Sequence, residues 1–459
     1  MEQTSQKQQI LHDNMWKVSI RLAWPAVIAM VLYGMNTVFD AFFVGRYVGE
    51  TALAGVSLAY PLTQMTLGIG SLIGVGAGSA LSIAIGKNDE ATQRKLLGNA
   101  NYLTLITSLF FTLGALIFAR QLVAFMGGEG EALEYGVAYF KVTLYGALFW
   151  IAGLAGNMII RAEGRMKRAA VMMGSGLVVN ILINYILIVL FKMGVEGAAI
   201  GTNIGMIVYT LTSFIYFARQ KASFKSNPFS IRRDPEIVKS ILSMGMSSLI
   251  MNVMTLIQAV LVLNALNAYG TNSDVAFYGV AYRIFTFMLT PVFGLMRALQ
   301  PAVGINYGAG KYRRVIQSFY VFAVVATLLL LPFWLIMMIA PANVLHLMLP
   351  ESTFLASDLM NFRLFMSLLP ILPVIFMAMT FFPAINKGNV ASLIGIARQV
   401  VFYIPLMLIL PRFFGVFAVY VGAFGIDLII CIWTWVLVFK EFKILKKTDQ
   451  PRAMKKVFE

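Results

Sequence analysis

Asp40 lies in the apolar run Tyr33-Gly-Met-Asn36-Thr-Val-Phe-Asp40, and Asn36 stands one helical turn before it on the same face. A charged side chain inside hydrocarbon costs about 2.5–3.5 kcal/mol on insertion scales, so such a residue is paired, neutralised by a proton or turned to a wet cavity. The chemistry on offer is reversible loading of an ion or a proton. The same half of the chain carries the side chains that would assist: Asn157, then Asn180 and Asn184 one turn apart, then Thr202 beside Asn203, all within apolar runs. Oxygen-bearing side chains converging on one carboxylate are what a sodium ion or a shared proton network requires. A sodium site would draw on Asp40, Asn180, Asn184 and Thr202. Interhelical hydrogen bonding worth about 0.6–2 kcal/mol accounts for any one amide alone, but their concentration around one acid favours a site.

The second half offers different chemistry. Ile257-Gln258-Ala259 stands where the first half has Phe39-Asp40-Ala41, so no equivalent acid exists there. Arg283 and Arg297 occupy nearly one face of a helix about 21 Å apart, and Arg363 follows in a later run. Intramembrane arginines face the bundle interior, and Asp427 is the acid expected to balance one of them. With Tyr33, Met35, Met65 and Met288, whose thioethers suit varied apolar cargo, Arg283, Arg297 and Asp427 form the expected substrate cavity. No Gly-Lys-Ser/Thr phosphate loop occurs, so ATP is not the encoded energy source. Cys431 is the single cysteine, and His12 and His346 are far apart, which leaves no disulfide and no ligand-spaced metal cluster. No Ser-His arrangement or acid pair at catalytic spacing is present, so neither an enzyme nor a cofactor is expected.

The elements that position these residues must be membrane helices. Of 459 residues, 59% are hydrophobic and 12% charged, more apolar surface than a water-soluble fold can bury. Apolar runs of about 20 residues or more place twelve helices near 18–43, 51–84, 97–119, 133–160, 169–191, 196–218, 237–266, 274–308, 314–340, 355–384, 391–411 and 414–440. The second and eighth are long for an upright span and should tilt. Lys and Arg concentrate in alternate connections and in the tail from Lys440 to Lys456, so both termini are expected in the cytoplasm. The net charge of +16 is spread in these short clusters, without the interleaved aromatics of a nucleic-acid surface. The first 13 residues lack the pattern of a cleaved leader.

Gln220–Glu236, with two Asx-Pro pairs, reads as a linker between halves. Leu53-Ala-Gly-Val-Ser recurs as Phe277-Tyr-Gly-Val-Ala, and Gly194-Val-Glu-Gly as Gly415-Val-Phe-Ala, at almost one offset. The expected organisation is a lobe of six helices over 1–218, a linker over 219–236, a second lobe of six over 237–440 and a basic tail over 441–459. An even number of spans before the linker makes these parallel repeats, related by a pseudo-two-fold axis along the membrane normal, with the transport path between them. Small residues every fourth position, Gly70 to Gly86 and Gly294 to Gly310, permit close helix approach and smooth faces for rocking. Pro25 permits a bend fifteen residues before Asp40.

Pro25 followed by Asp40, Val44-Gly-Arg, Ala54-Gly-Val-Ser, Asn157-Met-Ile-Ile-Arg-Ala-Glu-Gly164, Gly194 to Thr202 and Tyr278-Gly-Val-Ala-Tyr-Arg283 together resemble the multidrug and toxic compound extrusion family, in its DinF-like branch, over nearly the whole chain. The resemblance implies export of amphipathic and cationic compounds in exchange for protons or sodium by two alternately opening lobes. It places the family's first-helix acid on Asp40, its fifth-helix asparagine on Asn180 and its sixth-helix threonine on Thr202. Asn184 stands where relatives often carry Asp; one charge fewer weakens sodium binding and favours a proton. The implied setting is the cytoplasmic membrane of a bacterium, with lipid and small amphipathic molecules as partners and a monomeric protein. A lipid-linked saccharide flippase of the same superfamily is the alternative, with the arginines gripping a phosphate; twelve helices count against it.

Overall fold

The computed structural model describes residues 2–346 and 353–455, all of their regular structure helical. Residues 456–459, the end of the expected basic tail, lie outside the described residues.

A short helix α1 (Glu2–His12) precedes the first span, α2 (Met15–Tyr47), whose start is capped by the Asn14 side chain accepting from the Trp16 amide. Then come α3 (Glu50–Lys87) and α4 (Glu90–Ile117). Between them Asn88 adopts a left-handed conformation that ends α3, and Asp89 accepts from the Thr92 amide to start α4. A short α5 (Ala119–Phe125) leads to α6 (Gly130–Tyr145), α7 (Ala147–Ala162), α8 (Met166–Asn184), a π-wound stretch (Tyr185–Leu190) and α9 (Gly194–Ala218). The second half runs α10 (Pro235–Tyr269), α11 (Asn272–Gly308), α12 (Tyr312–Ile339), α13 (Pro341–His346), α14 (Ala356–Met366), α15 (Pro373–Ala384) and α16 (Gly388–Ile396). A second π-wound stretch (Ala397–Tyr403), α17 (Ile404–Ile409), α18 (Pro411–Phe414) and α19 (Phe417–Lys455) complete it.

Among the described residues, ten helices are long and apolar enough to cross a membrane, and α6 with α7 forms a bent eleventh. The protein is thus a multi-pass membrane protein of two helical lobes. Two of the twelve expected helices are not single rods. The run 133–160 bends by 56° between α6 and α7 at Gly146. The cause is Asn203 of α9: its amide donates to Val142 O at 2.7 Å, the carbonyl that Gly146 would bond in a straight helix, and its oxygen accepts from Trp150 Nε1 at 3.1 Å. A side chain on Gly146 would overlap that amide, so glycine is required by close approach. The run 355–384 breaks between α14 and α15, where Pro370 and Pro373 offer no amide hydrogens and Thr327 Oγ1 takes the Pro370 carbonyl at 2.8 Å.

At about 57 Å, the 38-residue α3 far exceeds a hydrocarbon core of about 30 Å, in keeping with its expected excess length. The small-residue stripe on α3 does not face one partner. Gly70 and Gly74 lie on Leu154 and Met158 of α7 in the same half, and from Gly78 onward the stripe meets α11, at Gln300, Gly304, Ile305 and Gly308. Contact with α10 comes from residues off the stripe: Gly76 abuts the Ile241 carbonyl and Gly245 abuts the Leu72 carbonyl. Smooth paired stripes therefore adjoin over only one end of the lobes. The linker lies against α4, with Arg232 N donating to Gly98 O and Asn101 Nδ2 donating to Pro228 O and Ser230 O.

Candidate functional site

Three helices build the surroundings of Asp40. Glycines on α9 let α8 come close: Gly205 sits against the Gly176 carbonyl and Asn180, and Gly201 against the Asn184 side-chain oxygen. That proximity brings two asparagines and a threonine onto the acid from α2. Asn184 Nδ2 donates to Asp40 Oδ1 at 2.6 Å and Asn180 Nδ2 to the same oxygen at 3.3 Å. Thr202 Oγ1 donates to Oδ2 at 3.0 Å, and Asn36 Nδ2 approaches Oδ2 at 3.4 Å from one turn earlier on α2. Asn180 Nδ2 also reaches Thr202 Oγ1 at 3.1 Å, closing the cluster.

Asp40 is 7% exposed, and among the described residues no Lys or Arg pairs with it. Amide and hydroxyl donors thus do the work that a cation or water would otherwise do for a carboxylate. One atom is left over. Asn184 Oδ1 is enclosed without a hydrogen-bond partner. An amide turned end for end presents oxygen instead of N–H, so the asparagines can donate to a carboxylate or accept from a protonated carboxyl. With the amides turned, Asp40, Asn180, Asn184 and Thr202 would offer carboxylate, amide and hydroxyl oxygens, donor types that suit a hard cation.

A narrow cavity runs from this cluster into the lobe, lined by Asn36, Thr202, Tyr33, Leu154, Met206 and Tyr209 among others. Tyr60, bonded to Thr37 at 3.2 Å, and Tyr139 lie within electrostatic reach of Asp40. Neither tyrosine stands out in the sequence, because aromatic residues are common in every apolar run; only the fold selects them.

The remaining expected residues are dispersed. Asn157 belongs to another cluster: it donates to Ala169 O at 2.9 Å and accepts from Arg161 Nε at 2.7 Å. Tyr33 is on the cavity wall, donating to Gln64 Oε1 at 3.4 Å. Met35, Met65 and Met288 do not line it, Met35 being exposed and the other two half-buried. Arg283 is exposed and Arg363 donates to the Met338 carbonyl at 2.9 Å, whereas Arg297 is half-buried within electrostatic reach of Tyr33 and Tyr209. Asp427 is not the counter-ion of any of the three expected arginines. Its partner is Arg398, whose Nε donates to Asp427 Oδ1 at 2.8 Å, because the π-wound stretch after α16 turns Arg398 toward α19. Next to it Gln399 Nε2 donates to Gln258 Oε1 at 2.9 Å. The position matching Asp40 thus carries an amide pair, with an ion pair beside it.

The MatE family model matches residues 25–186 and again 244–409. The multidrug export protein MepA of Staphylococcus saprophyticus is 27% identical over 301 residues, 66% of each chain, and that of Staphylococcus haemolyticus is 24% identical over 410 residues, 88% of each. A solved structure described as MATE in the bent conformation superposes with a TM-score of 0.90 at 24% identity, covering 97% of this chain and 99% of that one. A family model that matches both halves, and so most of the chain, places it in the MatE family of transporters.

Proposed function

We propose that the protein is a secondary-active multidrug efflux antiporter that exports amphipathic and cationic compounds against an inward proton flux, with sodium as the alternative coupling ion. The observation that carries this reading is the buried Asp40, without an ion-pair partner among the described residues, held by Asn180, Asn184 and Thr202 beside a cavity that Thr202 and Asn36 line. A carboxylate without a fixed counter-ion takes up a cation whenever the cavity opens to a solution rich in it, and the rearranged hydrogen bonds bias which side the lobes open to. A single carboxylate matches one proton per cycle. The MepA relatives, named as multidrug export proteins, support the substrate class.

The alternation of basic connections supports a cytoplasmic-membrane location with both termini inside. We take residues 1–218 and 237–440 as the two lobes, acting as a monomer with lipid and small amphipathic molecules as its partners and without nucleic acid. The test is dye efflux from proteoliposomes with pH and sodium gradients imposed separately. Efflux driven by the pH gradient alone supports proton coupling, efflux driven by sodium alone assigns the site to sodium, and no response to either overturns antiport.

A further inference from the structure

We propose that the two lobes enclose a second recognition point, an anion site built from Arg161, Arg297 and Tyr209, so that the cavity accepts amphiphiles bearing a carboxylate, sulfate or phosphate head as well as cations. The proposal rests on the transporter reading and names a further substrate class for the same cavity.

Arg161, on the last turn of α7, is 2% exposed. Its Nε is bonded to Asn157, but its Nη1 is enclosed with no partner. The hydroxyl of Tyr209, on α9, is also buried and without a partner. Arg297 comes from α11 in the other half, and its charge reaches Arg161, Tyr209 and Tyr33. Gln300, three residues beyond Arg297, donates to Val75 O at 3.0 Å and Ser79 Oγ at 2.9 Å on α3, beside Gly78, where α11 meets Met158 and Ala162 of α7. Among the described residues neither arginine forms an ion pair. The acid nearest in sequence, Glu163, is occupied by Tyr216 at 2.5 Å, the Ser223 amide at 3.0 Å and Arg165 at 3.5 Å.

Two guanidinium groups within electrostatic reach of each other repel, and Arg161 keeps an enclosed donor unused, a costly arrangement inside a membrane protein unless an anion completes it. Free N–H and O–H groups from α7 and α9 are suited to the oxygens of an oxyacid, and guanidinium geometry favours a planar carboxylate or a phosphate. Tyr209 and Tyr33 also line the cavity beside the Asp40 cluster, together with Leu154, Leu177 and Met206. An anionic head at the arginines would therefore have an apolar wall for its body.

The test uses full-length protein in neutral detergent, without any gradient, so it does not depend on efflux or on Asp40. Three probes share one apolar body: pyrenebutanoate, pyrenebutanol and a pyrenebutyl trimethylammonium salt. The expected result is at least tenfold tighter binding of the butanoate than the butanol by wild type, falling to within twofold in Arg161→Gln and Arg297→Gln measured in the same micelles. Equal affinities for butanoate and butanol in wild type, or an undiminished preference in the folded variants, would overturn the proposal. If Arg161→Gln does not fold, Arg297→Gln and Tyr209→Phe decide it, the latter losing about threefold of the preference. Inorganic phosphate is the remaining arm: if it displaces the butanoate at micromolar concentration while acetate binds as tightly as pyrenebutanoate, the site holds free anions and the amphiphile claim fails.

Discussion

Asn184 decides how Asp40 is read, since it makes the shortest contact to the acid and keeps one oxygen without a donor. Asp40→Asn should abolish gradient-driven efflux while size-exclusion profiles stay those of folded protein; wild-type efflux in that variant would remove Asp40 from coupling. Gly201→Ala tests the neighbour. Its methyl group would overlap Asn184 Oδ1, so the amide must leave its place on Asp40. Efflux should fall as far as in Asp40→Asn, with a loss of about 1–3 kcal/mol in stability from overpacking, measured by thermal unfolding in detergent. Residue types and helical spacing were enough to single out Asp40, Asn36, Asn180, Asn184 and Thr202, because charged and amide groups are rare in apolar runs. The same logic failed for Asn157 and Asp427. Both are as conspicuous in the sequence as Asn180, yet their partners, Arg161 and Arg398, are set by which face of a neighbouring helix turns inward.

At the scale of elements, the two π-wound stretches are informative. Tyr185–Leu190 begins directly after Asn184, and Ala397–Tyr403 contains Arg398 and Gln399, so each half carries a locally widened helix beside its own buried polar cluster. Such widenings recur at functional sites, and here each re-aims side chains that a regular helix would leave a fraction of a turn away. Their symmetry is structural, whereas the chemistry has diverged to an acid with amides in one half and an ion pair with amides in the other. Twelve apolar runs were legible from composition, but neither the bend at Gly146 nor the break before Pro373 was. The first depends on Asn203 from a distant helix, and the second on the pairing of Thr327 with Pro370. A local device invites a direct test. Asp89 caps α4, and its bonds to the Thr92 side chain and amide hold its carboxyl below the usual carboxylate range. Asp89→Ala should cost about 1 kcal/mol. Because the folded state holds the lowered value, this contribution is complete above the unfolded value of about 3.9 and disappears as pH falls through the folded one; unfolding midpoints of wild type and variant should converge below that range.

For the whole molecule, the close crossing of α3 with α10 ties the halves together where Gly76 and Gly245 each abut the other helix's backbone. Gly245→Val should prevent that crossing and lower the yield of folded, monodisperse protein severalfold, a loss readable by fluorescence size exclusion. The end of the bundle near Gly86 and Gly308 is closed in a different way. There α1 lies across both halves: Lys7 Nζ donates to Ile85 O at 2.6 Å on one side, while Arg314 reaches Ile10 O and Asp13 O at 2.8 and 2.7 Å and Lys311 reaches Leu11 O at 3.0 Å on the other. Removal of residues 2–12 should speed amide exchange in the last three turns of α11, and unchanged exchange would show the short helix to be incidental.

These bonds to α1 give the molecule a mechanical asymmetry. Parting the halves at this end means breaking ties to α3 on one side and to α11 and α12 on the other, with Ile10 and Leu11 drawn out of the core as well. Opening at this end therefore resembles releasing a clasp more than tilting a hinge. It would be abrupt, and its rate would be set by a peptide of about a dozen residues that takes no part in the Asp40 cluster.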